Sequence, residues 1–242
     1  MRRPVDEPSA EQLRTGPALA AALADLALRL AEAPTLAETE RRVVEHAVRL
    51  VGGDHAGLHV LRGRRGVELS TATDEALLRR LVTDAAGGAA TGPEVAVLGE
   101  DDLVVVGDTA LDRRWPEWSA RAGGAGVRSA LAVRVATLGP VHGSLVVTAA
   151  SVSAFAAPGT VERARLLAVH AATALVAAQQ QENLWQAVDA RKLIGQAQGM
   201  LMERFDLDTE QAFAVLLRYS QDHNRKLRSV AEQLVDERAL PD

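Results

Sequence analysis

The 242-residue chain has no cysteine, only three Trp, three Phe and one Tyr, and just two lysines, Lys192 and Lys226. Without cysteine there can be no disulfide, thiolate metal site, cysteine nucleophile or thioether-linked chromophore. With so few aromatics, the core has to be built from Ala, Val and Leu. The lysine-free stretch before Lys192 excludes a Walker-type phosphate loop or a phosphoacceptor receiver from that part, because both depend on a lysine. The Asp101–Asp102 pair is read instead as a turn before a strand over Leu103–Val106. Long apolar runs are also missing. Leu166–Ala178 is interrupted by His170 and falls short of the roughly 18 residues a membrane span needs. Arg2 and Arg3 are followed by Asp6, Glu7 and Pro8, where a signal peptide would carry its apolar stretch. These features predict a cytoplasmic protein with no membrane partner.

The formal charge is −5, against a general polyanion binder. From Trp185 onward the chain carries 8 Lys and Arg against 10 Asp and Glu. Any nucleic-acid contact must therefore rest on a local patch. His46, His55, His59, His142 and His170 are scattered without convincing metal-ligand spacing. No nucleophile, base and orienting partner come together in the pattern, so the expectation is no enzyme, no metal and no cofactor.

The periodicity divides the chain. Residues 1–16 read as a flexible tail. A helix over Pro17–Ala33 places Leu19, Leu23, Leu26 and Leu30 on one face. A second starts at Thr35, which with Glu38 forms a capping-box pair, and ends at Gly52–Gly53. Extended stretches Ala56–Leu61 and Val67–Thr73 flank Gly63-Arg64-Arg65-Gly66 in a hairpin pattern. Asp74 caps a short helix turning Leu77, Leu78, Leu81 and Val82 inward. Val95–Leu98 and Leu103–Val106 follow as short apolar stretches, then a loop to Trp115 and adjacent strands Ser129–Ala136 and Ser144–Thr148. Close strand pairs require antiparallel hairpins, so the fold class is α+β.

A long helix begins near Pro158–Val161 and meets no breaker before Arg204 other than Gly195 and Gly199. Ala187, Ala190, Ile194, Ala197 and Leu201 recur at 3-4-3-4 spacing along it, the pattern of a coiled-coil dimer seam. An earlier stripe of Leu166, Val169, Thr173 and Val176 packs either on its own domain or along a partner helix. Two amphipathic helices close the chain. Asp208 caps the first, with Ala212, Phe213, Leu216 and Leu217 inward. Asn224 caps the second, which buries Leu227, Val230, Ala231, Leu234 and Val235.

The text of Ala190–Val235 is distinctive: Arg191, then Ile194-Gly195-Gln196-Ala197-Gln198-Gly199-Met200-Leu201-Met202-Glu203-Arg204, Glu210-Gln211-Ala212-Phe213, Leu217-Arg218, Ser220, Asn224, Lys226-Leu227-Arg228 and Val230-Ala231. It resembles the ANTAR family, which binds nascent messenger RNA and prevents formation of a terminator hairpin. Upstream, Asp112-Arg113-Arg114-Trp115-Pro116, Gly126-Val127-Arg128-Ser129 and Gly143-Ser144-Leu145 resemble GAF domains joined to such modules in actinobacterial proteins. The Arg-rich, Lys-poor composition fits a GC-rich genome. The resemblance implies a tail over 1–16, a GAF-like sensor over 17–180 with an antiparallel sheet flanked by helices, a long connecting coiled-coil helix, and a three-helix ANTAR bundle within 181–242. It further implies a transcription antitermination regulator whose partners are RNA stem-loops, a second copy of itself and an unidentified small-molecule effector.

The candidate RNA-binding residues are Arg191, Lys192, Gln196, Arg218, Tyr219, His223, Asn224, Arg225, Lys226 and Arg228. Four of these cations face one anion, Asp222, between Arg218 and Arg228. Placing Arg225 and Lys226 in the first turn of a helix opposes its macrodipole, a conflict that a phosphate removes. Tyr219 and His223 are read either as a stacking surface for an unpaired base or as core-edge side chains. Gly195 and Gly199, each costing roughly 1 kcal/mol relative to alanine, suggest close approach by a helix or an RNA backbone. Trp115, Trp118 and Arg128 border the expected ligand pocket. The competing reading is a dimeric helix-turn-helix DNA-binding factor with a GAF sensor, although the Ser220–Asn224 turn has no glycine.

Overall fold

The computed structural model describes residues 16–61, 67–82, 91–99 and 101–238. The flexible-tail expectation, apart from Gly16, and the Gly63–Gly66 turn lie outside them. The chain divides into two compact units, Met1–Gln179 and Gln180–Asp242.

In the first unit, α1 (Gly16–Ala31) and α2 (Leu36–Ala47) lead through a π-helical turn (Val48–Gly52) into β1 (His55–Leu61). Thr35 caps α2 by accepting from the Glu38 N–H at 3.2 Å. The Glu38 carboxylate binds Arg41 and Arg42, and these guanidiniums hold it at about 2, well below the usual carboxylate range. β2 (Val67–Ala72) and α3 (Glu75–Val82) follow, then α4 (Pro93–Ala96), β3 (Leu103–Val106), α5 (Pro116–Gly124), β4 (Ser129–Ala136) and β5 (Val141–Ala149). Asp74 caps α3 through the Leu77 N–H at 2.9 Å. The five strands form one sheet in the order β2-β1-β5-β4-β3, with every neighbouring pair antiparallel. The architecture is α+β.

Strand alternation supplies two cores. Leu58, Leu131, Val133, Leu145 and Val147 point to one face, against Leu26, Leu30, Val43 and Leu50 and against Ala164, Leu167 and Ala171 of α6 (Thr160–Phe205). Val104, Val106, Ala130, Ala132 and Val146 point to the other, under Leu78, Leu81, Val97, Trp118 and Ala122. Two local expectations change. Val95–Leu98 is not extended, because Pro93, acceptable in a first turn, opens the short α4. Helix α5, in the stretch between Trp115 and Ser129 for which the sequence predicted no element, starts the same way at Pro116.

α6 runs 46 residues without interruption. Its early packed side is Ala164, Leu167, Ala168, Ala171, Ala172 and Leu175. The stripe that includes Val169 (60% exposed) faces away from that core.

In the second unit, the end of α6 packs with α7 (Thr209–Asp222) and α8 (Leu227–Glu237) around Ala197, Leu201, Ala212, Leu216, Val230, Ala231 and Leu234. Asp208 and Gln211 form a complete capping box on α7. Phe213 and Leu217, expected inward, are exposed. Ala212 and Leu216 fill the bundle, and a three-helix unit this small has room for only one narrow stripe of α7.

Sheet pairing fixes one glycine absolutely. A Cβ on Gly143 would stand 1.8 Å from the His59 carbonyl oxygen across the β1–β5 ladder, where backbone cannot yield. Gly143→Ala is expected to destabilise the first unit by about 3 kcal/mol or more in urea unfolding. Gly139→Ala, with nothing within 4 Å of the added carbon, should leave it unchanged.

Candidate functional site

The densest candidate site is the α7–α8 turn. α7 ends at Asp222, and the C-cap residue His223 stacks its ring on Tyr219 with centroids 5.6 Å apart and planes 6° off parallel. Asn224 takes φ +48°, a left-handed conformation that Asn tolerates better than most residues. The Arg225 N–H then donates to the Ser220 carbonyl at 3.0 Å, and the Ser220 hydroxyl donates to the Arg225 carbonyl at 2.6 Å. This reciprocal pair locks the turn.

Asn224 therefore reverses the chain rather than capping α8. The N-cap position belongs to Lys226, with no side-chain cap hydrogen bond and no acidic residue in the first turn. Arg225 precedes the helix and Arg228 occupies its first turn, so the cation placement shifts by about two residues while its conflict with the macrodipole remains. Arg218 reaches Asp222 at 3.5 Å. The Arg225 guanidinium donates to the Gln233 amide oxygen, and Lys226 and Arg228 are exposed. No carboxylate among the described residues pairs with Arg225, Lys226 or Arg228. Sequence reasoning missed Ser220 and Gln233 as the residues that shape this surface. A serine five residues before a cation carries no strong local signal.

The turn thus gathers Arg218, Tyr219, His223, Asn224, Arg225, Lys226 and Arg228. Arg191, Lys192 and Gln196 stand exposed on α6, outside the turn's hydrogen bonds. An added Cβ on Gly195 or Gly199 would meet nothing within 4 Å, so no neighbouring helix of the described chain comes close there.

The expected seam is split. Ala197 and Leu201 are 0% and 1% exposed inside the three-helix core and Ile194 packs against it, so these side chains are already used within the chain. Ala187 stays exposed and Ala190 half-buried. Residues 179–189 are exposed along their length and include Leu184, Trp185 and Val188 at 69%, 62% and 57%.

The three sensor residues separate. Trp118 is fully buried in the second core. Trp115 packs at that core's edge under the Arg114 guanidinium, 4.6 Å from its ring centroid. Arg128 pairs with Asp108 at 3.2 Å and lines an outer groove of about 590 Å³ with Thr109, Asp112 and Ser119. Burial holds the His59 imidazole down to about 4. No three His, Asp or Glu side chains converge on a metal site among the described residues. No helix there is long and apolar enough to cross a membrane.

Comparison with known proteins places both units. Residues 182–235 match the ANTAR domain family. No curated protein matches the chain. Among solved structures, the GAF domain of a phosphoenolpyruvate-protein phosphotransferase from Coxiella burnetii is similar at 17% identity and TM-score 0.52, covering 68% of this chain and 96% of that one. The corresponding Acinetobacter GAF domain gives 13%, 0.51, 68% and 96%. The photosensory core module of Stigmatella aurantiaca phytochrome gives 16% identity and TM-score 0.55, with 83% of this chain covering 44% of that one; the chain thus spans under half of that module. At these identities the likeness speaks for the fold. The chain joins a unit of GAF fold to an ANTAR domain at residues 182–235.

Proposed function

We propose that the protein is a non-enzymatic, cytoplasmic regulator that binds RNA stem-loops in nascent transcripts and promotes antitermination, with the GAF-fold unit sensing a small-molecule signal. The observation that carries this reading is the α7–α8 turn inside the ANTAR match. Arg225, Lys226 and Arg228 crowd the uncapped N-terminal end of α8 without a carboxylate partner. Backbone N–H groups and cations converging at a helix start suit a phosphate. The stacked Tyr219–His223 pair beside them offers a flat face to an unpaired base.

Paired stem-loops call for a dimer, and the outward side of α6 supplies its surface. Within the second unit, Leu184 and Val188 stand one turn apart on α6, 69% and 57% exposed. This stripe replaces the seam through Ala197 and Leu201. A helical stretch with no core of its own is marginal in water, and a second copy covers it. Linking two modules raises affinity for a two-hairpin target without new contacts.

A gel-shift titration against a two-hairpin RNA, a loop-scrambled version and duplex DNA tests the assignment. Selective binding to intact hairpins is expected. Preference for duplex DNA would overturn it in favour of helix-turn-helix recognition. Arg225→Ala/Lys226→Ala should weaken RNA binding and lower the slope of log K against log salt by about 1.4, at ~0.7 per lost phosphate contact. Leu184→Asp/Val188→Asp should convert the dimer to monomer in sedimentation. Gly195→Ala/Gly199→Ala should stabilise the helix by about 1 kcal/mol per site yet reduce RNA affinity, since both glycines face open space.

A further inference from the structure

Among the described residues of the GAF-fold unit, five buried polar atoms lack a hydrogen-bond partner at ordinary geometry: both ring nitrogens of His59, Glu94 Oε1, Trp118 Nε1 and Arg121 Nε. Native interiors leave few such groups, and these belong to one layer. His59 on β1 stands opposite Ser144 on β5, and the Ser144 hydroxyl donates to the Glu94 carbonyl at 2.7 Å. A Cβ on Gly92 would meet Trp118 at 2.5 Å and both Glu94 carboxyl oxygens at 2.6 Å, so indole and carboxyl crowd around that glycine. Glu94 is 2% exposed.

The charged and titratable groups around this carboxyl do not neutralise it. From α5, the Arg121 guanidinium is turned to the Leu81 carbonyl at 3.1 Å. From β4, Arg134 spends its donors on the carbonyls of Val97, Gly99 and Asp101. From β1, His59 is held neutral by burial. β3 contributes Val104 and Val106, and β5 contributes the Ser144 hydroxyl, already bonded to the Glu94 backbone. An ionised Glu94 would be a buried charge helped only by its own backbone N–H, the Arg121 charge and the Trp118 indole, which is costly unless the group finds water.

We propose that Glu94 makes α4 a pH-sensitive cover on the sheet, seated while the carboxyl is protonated and released when it ionises. Burial lifts this carboxyl to about 7, opposed only in part by its own backbone, Arg121 and Trp118. The sign follows from that direction. A carboxyl raised in the seated form favours seating at low pH, and the preference is lost as pH climbs through the midpoint. α4 is four residues long and held to the sheet by Ser144 and Arg134, so it is small enough to move without unfolding the strands. The proposal stands apart from the RNA-binding reading, and its test uses no RNA.

The test is a pH titration of the full chain in a Trp115→Phe/Trp185→Phe background, which leaves Trp118 as the reporter. Trp118 emission should titrate with a midpoint near 7, and Glu94→Gln should abolish the transition. Hydrogen exchange of the α4 amides, corrected for intrinsic rates, should accelerate by up to about tenfold per pH unit as pH rises towards the midpoint and level off above it. If Glu94→Gln does not fold, infrared spectra of the wild-type chain decide, through a protonated-carboxyl band present at about pH 6 and lost by about pH 8. Absence of any transition across that range would overturn the proposal. A transition that survives in Glu94→Gln, or a carboxyl that titrates while α4 exchange stays constant, would overturn it equally.

Discussion

The structure depends on one constraint: a single helix, α6, belongs to both units. Ala164, Leu167, Ala171 and Leu175 are consumed by the first unit's core, and Ala197 and Leu201 by the second's. α6 is unbroken over 46 residues, and each residue along it turns the helix by about 100°. Within the second unit, the exposed side of α6 around Leu184 and Val188 is what that unit's core leaves over.

This division of labour explains where sequence reading succeeded. Helix α6, the caps at Thr35, Asp74 and Asp208, and the strand pairs around β1 and β5 were legible because each has a local signal: a period, a side chain that accepts a backbone N–H, or a turn between apolar runs. The ANTAR text from Arg191 to Ala231 was legible for the same reason, since short helices with fixed caps leave little freedom in spacing. Helix α5 was not, because Pro116 ends an apparent loop as readily as it opens a helix.

What the sequence hid was competition. The 3-4-3-4 spacing of Ala187 to Leu201 fits a partner helix in another chain and a core within the same chain equally well. Only the placement of α7 and α8 shows that Ala197 and Leu201 are taken. Asn224 likewise suits both a cap and a left-handed turn, and the Ser220–Arg225 reciprocal bonds select the turn. Glu94 carried no signal at all, as its importance comes from Trp118 and Ser144 converging from distant stretches on the Gly92–Glu94 segment.

The most direct test of the shared-helix account is a phase experiment on α6. One residue inserted after Gln180 turns the helix that follows by about 100° about its own axis, whereas seven residues return it to within about 20°. Affinity for a two-hairpin RNA would be measured for both insertions. The account predicts binding weakened tenfold or more by the single insertion, on the scale of lost bivalency, and largely restored by the seven-residue one. Equal affinity in both insertions, whether as tight as wild type or equally weak, would contradict it.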